Sequence, residues 1–517
     1  MALATYKVLV DWNNDGDFSD SNEDVSANVL AASFTRGANF ASQLTGRAVA
    51  GTLRINLNNS TGIYNSFLSG GALYGNLLPS RKIQVKAGNS GFPYTFPFSF
   101  LDTPIWTGYI TKILPTVQSG QARTALIEAT GPLGRLGQAK VDVAQATAQR
   151  TDQLIDDILD AAGWDAGDRD LDEGKTTITR YWSTGKQTLA ALNEIAETEV
   201  GWIKETPDGK IAFENRHHRY AETHANTSQG TFSDAGGSTL SYKRIEQKDS
   251  LPQVFNSFRA GARVYTVGSL AVLWTLPDIG TSSPSIDVGQ VKTFEASFPN
   301  SDSATNAVSV NAWTTTAATT DMLANAASDG SGTNLTSSIG ISVTKTGERM
   351  EIQLTNNAAV LVYITKLQAR GTPITESNVG RVLVQDSASI TAYGEREYST
   401  PAKWLPNADE STDYCLYNIN LYKDVTPRVS ITVTGKDGVH LNQILQRDLH
   451  DRITVTATNA TRTNLGINGD FQIDKINHRI RPMYHEVQWE LTPITGSYGS
   501  YWNVGFGVLD SSTRLGY

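Results

Sequence analysis

Cysteine is almost absent. Cys415 is the only one in 517 residues, which excludes an intramolecular disulfide framework and any thiolate zinc site built from one chain. Folding in a reducing cytoplasm is expected. Charge is sparse as well: Asp, Glu, Lys and Arg make up 18% of the residues, against roughly 25% in an average globular chain. Long solvated helices need Lys and Glu on their outer faces, so this shortage argues against them and for β-structure rich in Thr, Val, Ile and aromatics. The net charge is −9 with no block of like charge. A nucleic-acid-binding surface that neutralises phosphate needs a clustered basic face, and none is legible. Apolar runs are short of the ~18 residues of a membrane-spanning helix. The opening MALATYKVLVDWNNDGDF lacks a basic stretch followed by an apolar one, so no secretory signal is expected.

What is present divides into four units, in keeping with about one domain per ~150 residues. Residues 1–147 read as a β-barrel-like domain. Its strands are Thr5–Trp12, Asn28–Gly37, Gly51–Asn59, Lys82–Gly88, Ile105–Ile113 and Arg123–Gly131, each bounded by turn-forming residues. Residues 148–254 read as an α+β module. Leu154, Ile155, Ile158, Leu159 and Ala162 fall at helical spacing behind Thr151 as cap, and Leu189, Leu192 and Ile195 form a second stripe. Pro207-Asp208-Gly209 then predicts a hairpin turn. Residues 255–372 read as an inserted β-sandwich with antiparallel strands at Ile341–Gly347, Arg349–Asn357 and Val360–Gly371, preceded by one long polar loop over Ser301–Gly340. Residues 373–517 return to strands, including Arg381–Ser399, Val429–Gly435, Arg452–Thr458, Phe471–Ile480 and His485–Pro493, with a short helix near Leu441–Leu449. The expected fold class is mainly β with a small α+β module: two β-barrel-like domains plus the inserted sandwich.

The most specific local motif is Asp11-Trp-Asn13-Asn-Asp15-Gly16-Asp17. Oxygen ligands at alternate positions with Gly at the sixth match the start of a calcium loop, which makes Asp11, Asn13, Asp15 and Asp17 candidate ligands. The twelfth position is Asn22, and Glu23, the nearest bidentate carboxylate, stands one residue late. The same residues also suit an Asx-rich hairpin loop whose side chains bond their own backbone.

Other constellations carry less. His217 and His218 would point to opposite faces if Ala212–His218 were a strand, and no HExxH, CxxC or third ligand at useful spacing accompanies them, so exposed strand-end histidines are expected. No GxSxG elbow or phosphate-cradling glycine motif occurs. Cys415, among aromatics, reads as a buried structural thiol. Trp12, Trp106, Trp274, Trp404 and Trp489 lie in or beside strands and suit core or interface packing over sugar platforms.

The order of segments then resembles a known family. VDWNNDGDFSD, GTLRINLNNSTGIYN, LYGNLLPSRKIQV, WTGYI and ATGPLGRLG are similar to the opening domain of tail proteins of tailed bacteriophages. LAALNEIAETEVGWIKETPDGKIAFENR, DSASITAYGEREYS and the ending VLDSSTRLGY resemble the tail-tip or baseplate hub proteins of that group. The resemblance implies a non-enzymatic structural protein of the virion, at the distal end of the tail and assembled in the host cytoplasm. It implies a homotrimer whose two barrels per chain make six, matching a hexameric distal tail or tail-tube protein. The tape-measure protein and fibre or spike proteins would be further partners. The insertion 255–372 departs from the pattern and leaves open a carbohydrate- or receptor-binding tail protein; a tail-associated cell-wall hydrolase is the third reading.

Overall fold

In a computed structural model the described residues are 4–38, 49–89, 103–117, 122–236, 240–248, 254–276, 283–298, 307–399, 404–425, 428–482, 484–494, 501–502 and 514–515. The first six strands are β1 (Ala4–Val10), β2 (Val29–Gly37), β3 (Thr52–Asn58), β4 (Lys82–Asn89), β5 (Thr103–Thr116) and β6 (Thr124–Thr130). They pair antiparallel in the order β1-β4-β5-β6-β3-β2. Two-residue periodicity decides which side faces inward: in β3, Leu53, Ile55 and Leu57 are buried while Thr52, Arg54, Asn56 and Asn58 are exposed. Each such Leu or Ile contributes about 1.5–3 kcal/mol by leaving water. The curled sheet closes on itself just before β2, where Val10 N–H donates to Glu23 O and Val25 N–H donates to Val8 O, both at 2.9 Å. Trp12, Phe34, Tyr64 and Trp106 fill the interior.

A second six-stranded barrel-like half has the order Thr231–Ser233, Arg452–Ala457, Ile467–Arg481, Tyr484–Pro493, Arg428–Thr434 and Arg244–Lys248. It closes in the same manner, through a bridge between Phe232 and Leu240, around Phe232, Ile473 and Trp489. The two halves share one sheet. The long strand Ile467–Arg481 pairs through its first part with Arg452–Ala457 and through its last part with β2, from Lys475 opposite Gly37 to Ile480 opposite Ala32. Gly37 sits at the handover with φ +98, and a Cβ there would lie 2.2 Å from Asp474 O. Only glycine satisfies both the backbone sign and the close approach.

The α+β module packs helices Thr151–Ala161 and Thr188–Glu199 against each other and onto the antiparallel ribbon Lys140–Arg150 with Thr177–Gln187. The expected cap differs. Arg150 occupies the cap position, and Thr151, inside the helix, donates its hydroxyl to the buried Glu199 Oε2 at 2.7 Å. Past the helix end Gly163 takes φ +67. Trp202–Glu205 and Ile211–Glu214 form the expected hairpin.

The insertion is a two-layer β unit. Val291–Ser297, Arg349–Asn356 and Ile339–Lys345 form one sheet. The other is organised on Val362–Gln385, which pairs with Ser257–Val267, Ala271–Thr275, Ala307–Trp313 and Met322–Asn325. Trp313, Met322, Ile352, Leu354 and Ile364 lie between the layers. Three expectations are corrected. Val360–Gly371 does not extend the antiparallel set of 341–357 but faces it across the core. The polar stretch 301–340, whose first residues 301–306 lie outside the described ones, contains two strands, since Ala307, Ser309, Val310 and Trp313 bury against Val362–Gln385 without any need for charge. Arg381–Ser399 belongs to this unit instead of the second barrel: its strand ends pair with Ser257–Val267, and Ser387–Tyr393 is a helix capped by Asp386.

The boundaries therefore run differently from sequence position. Val362–Gln385 crosses residue 372 without a break, and Thr231–Ser233 and Arg244–Lys248, from within 148–254, complete the second barrel-like half. Ala408–Tyr422 is a helix that the strand reading of 373–517 did not contain; it packs on Ser257–Val267 and Val362–Gln385 and buries Cys415, whose thiol burial pushes up to about 11. Trp12, Trp106, Trp404 and Trp489 are buried and Trp274 packs partly buried in the insertion core. Among the described residues no helix is long and apolar enough to cross a membrane. The ending VLDSSTRLGY lies outside the described residues except for Arg514 and Leu515.

Candidate functional site

The two barrel-like halves and the α+β module meet at a buried cluster of charge. Arg36, on β2, is 4% exposed; its Nη2 lies 2.7 Å from Asp448 Oδ1 and its Nη1 donates to Glu205 O at 3.3 Å. Lys204 and Glu205 end the first hairpin strand, so they point to opposite sides and serve different neighbours. Lys204 Nζ pairs with Glu214 Oε1 and donates to Leu449 O at 3.3 Å. Glu205 reaches back to the first barrel-like half and accepts from Gly51 N and Leu133 N, both at 2.8 Å. Gly131 allows this approach, since a Cβ there would strike the Glu205 carboxylate at 2.1 Å. Glu214 Oε2 contacts His450 Nδ1, and Arg447 Nη1 lies 3.1 Å from Asp451 Oδ2.

Burial and pairing compete at each group. Burial alone prevails at Glu205, whose carboxyl is pushed up to about 7. At Glu214 burial works against the charge, but His450 and Lys204 overcome it and hold the carboxyl well below the usual range. Asp448 is likewise held low against burial by Arg36 and Lys204. Burial pushes His450 down. Removing one partner of such a buried pair costs about 3–5 kcal/mol, because the other charge is stranded. Chemically this cluster fixes three modules relative to one another.

Of the histidines expected at an exposed strand end, His218 is part of it, joined by His224. The strand stops at Glu214, and His218 and His224 lie on two single-turn helices, His218–Ala221 and Thr223–Asn226. His218 Nδ1 is 2.7 Å from Asp172 Oδ2 and its Nε2 is 3.3 Å from Glu214 Oε1; His224 Nδ1 is 3.0 Å from Asp451 Oδ1. Burial opposes the charge on His218, yet Asp172 and Glu214 raise its pKa above the ordinary value. The turn at Asn215 ends the strand: its side-chain oxygen accepts from His217 N at 2.7 Å.

A second seam cluster joins the barrel-like halves directly. Tyr6 OH lies 2.7 Å from His485 Nδ1, and His485 Nε2 lies 2.8 Å from His478 Nδ1. The His478 ring stacks on Phe34 of β2 at 4.5 Å between centroids. Burial pushes His485 down to about 3 and His478 well below its usual value.

At the N-terminal loop the structure gathers one carboxylate oxygen each from Asp11, Asp15 and Glu23 within 4.8 Å of one another. Asp11 accepts from Asp15 N at 3.2 Å and Gly16 N at 3.0 Å, with Gly16 at φ +98, and Glu23 accepts from Trp12 N at 3.2 Å and Asp20 N at 3.0 Å. Of the four expected ligands, Asp11 and Asp15 converge. Asn13 instead donates to Asp15 at 2.8 Å and Asp20 at 2.6 Å, and Asp17 accepts from Ser19 N at 2.8 Å. Glu23 takes the third place because residues 23–25 return antiparallel to β1 and carry it back over Asp11. Burial raises the Glu23 carboxyl, and backbone hydrogen bonding lowers that of Asp15. A carboxylate offers about four acceptor sites, so oxygen capacity remains for a hard cation.

The fold as a whole is similar to that of a solved tail protein across nearly the whole chain. The tail protein from Neisseria meningitidis MC58 superposes with a TM-score of 0.51 at 10% sequence identity, covering 96% of this chain and 98% of that one. The chain has a tail-protein fold. The 43 kDa tail protein of prophage MuSo2 from Shewanella oneidensis gives a TM-score of 0.48 at 10% identity, over 96% of this chain and 99% of that one. Prophage tail protein gp18 from Listeria monocytogenes EGD-e gives 0.40 at 8% identity, over 94% of each chain. No family model and no curated protein matches the sequence. The likeness is one of backbone arrangement, and the fold is kept at 10% identity because two-residue burial periodicity can be met by many apolar side chains.

Proposed function

We propose that this chain is a structural hub at the distal end of a bacteriophage tail, a homotrimer that adapts sixfold to threefold symmetry and acts by assembly without catalysis. The observation that carries the reading is the pair of six-stranded barrel-like halves held side by side in one sheet by β2 and Ile467–Arg481. A threefold ring of such chains presents six similar surfaces to a hexameric neighbour. The tail-protein fold supports the setting. In it the partners are a distal tail or tube hexamer, the tape-measure protein and fibre or spike proteins. The buried charges between modules support the same reading, because a hub must keep its two halves in fixed register. The loop of Asp11, Asp15 and Glu23 is proposed as a calcium site that pins the closure of the first half.

Light scattering of the purified chain, followed by reconstruction of the tail tip, tests the symmetry claim. A particle of three times the 56.0 kDa chain mass, placed around the tail axis, supports it. A monomer at tens of micromolar, or a chain located only on peripheral fibres, refutes it.

A further inference from the structure

His218 and His224 face each other with their Nε2 atoms 3.1 Å apart and their rings at 66°. What lies behind each ring decides what that contact means. His218 Nδ1 is held by Asp172 and His224 Nδ1 by Asp451, at 2.7 and 3.0 Å. Ionised carboxylates only accept, so each Nδ1 carries its hydrogen. A neutral imidazole protonated at Nδ1 has a bare lone pair at Nε2, so with both rings neutral two bare lone pairs would meet, whereas a protonated ring would donate its Nε2–H to the other. The contact at His478 and His485 is different: Nδ1 of one faces Nε2 of the other, so one ring donates and the other accepts, and no extra cation is called for. At His218 and His224 either a proton or a metal ion between the nitrogens makes the contact favourable.

We propose that this cation is a divalent transition metal of the zinc class, ligated by His218 Nε2 and His224 Nε2. Two features of the site favour it. Metal-ligating imidazoles characteristically donate their other N–H to a carboxylate, which both rings do. The 3.1 Å spacing is near the edge of a tetrahedron with bonds of ~2.0–2.1 Å, about 3.3 Å. Water completes the shell, so micromolar affinity is expected. Asp172, Asp451 and Glu214 supply negative potential against Lys204, Arg447 and Arg219, the cations that face the cluster. The His224 side chain is 34% exposed, which gives the ion a way in. Two imidazoles select zinc, cobalt, nickel or copper over calcium or magnesium. A bound ion would tie the segment after Glu214 to Asp451 of the second barrel-like half.

The test is a titration of the full chain, freed of any affinity tag, with zinc chloride by calorimetry and with cobalt chloride by visible absorption at neutral pH. Expected are about one equivalent of zinc bound at micromolar affinity and a loss of at least tenfold in His224→Ala, with His217→Ala unchanged. Zinc-edge X-ray absorption on the unmodified chain, which requires no variant to fold, should show two imidazole ligands. Absence of binding at 100 µM zinc, binding indifferent to His224→Ala, or an edge spectrum with oxygen ligands only would overturn the proposal and leave a shared proton as the cation. The readout is made on the isolated chain, so it stands or falls separately from the hub reading.

Discussion

Acid should open the seam between the two barrel-like halves. His485 and His478 are buried and neutral there, and burial pushes His485 down to about 3. In the unfolded chain a histidine titrates near 6.5. Between these values the unfolded state binds a proton that the folded state refuses, so stability is full above pH about 6.5 and is lost as pH falls towards 3. At pH 5 the unfolded ring has gained about 1.5 units of protonation free energy, which at ~1.36 kcal/mol per unit is about 2 kcal/mol for His485 alone. His478 adds to this in the same direction. Set against a typical stability of about 5–15 kcal/mol, the effect is large. The perturbation is His485→Gln, which removes the titrating ring and one partner of Tyr6 and His478, and so costs about 1 kcal/mol at pH 8. Its loss of stability between pH 8 and pH 5 should nevertheless be smaller than the unmodified chain's by about 2 kcal/mol. Urea denaturation at both pH values, with hydrogen exchange of the amides in β2 and residues 475–480 as the local readout, measures both quantities. Equal acid losses in the two proteins would refute the argument.

Glu205 predicts the opposite slope. Its folded pKa is raised to about 7 from 4.5, so the folded state holds the extra proton and stability falls as pH rises from about 4.5 to 7, by about 3 kcal/mol in total; Glu205→Gln should flatten that slope in denaturation curves collected across this range. Gly37→Ala should destabilise by at least about 2 kcal/mol, since it combines a left-handed backbone with a 2.2 Å approach to Asp474 O, and a melting temperature within 1 °C or so of the unmodified chain would contradict it. Calcium at about 100 times its dissociation constant should stabilise the chain by about 2.7 kcal/mol, seen as a calorimetric shift that chelator reverses and Asp15→Asn abolishes.

Much of this architecture was legible from local pattern. All six strands of the first half fall where alternation places them, β3 most clearly, because a strand with one buried face must repeat every second residue. The two helices of the α+β module followed from apolar spacing. Helix Ala408–Tyr422 was missed although its start carries a signal: Asn407 caps it by accepting from Glu410 N, with Asp409 and Glu410 in its first turn, while its tyrosines and isoleucine suit strands as well. The calcium motif named Asp11, Asn13, Asp15 and Asp17, of which only Asp11 and Asp15 converge, while Glu23 joins them through the return of residues 23–25 beside β1.

By itself, then, the sequence determined most of the elements of the first half and the α+β module, their inward faces and the shortage of charge that goes with a β-rich chain, since these depend on neighbours a few residues away. Tertiary structure decided the partnerships. Nothing near Thr231–Ser233 says that it pairs with Arg452–Ala457, and nothing near His224 announces Asp451, 227 residues on. Strand edges and carboxylates are chemically generic, so which ones meet is settled only when the cores have closed and brought them together.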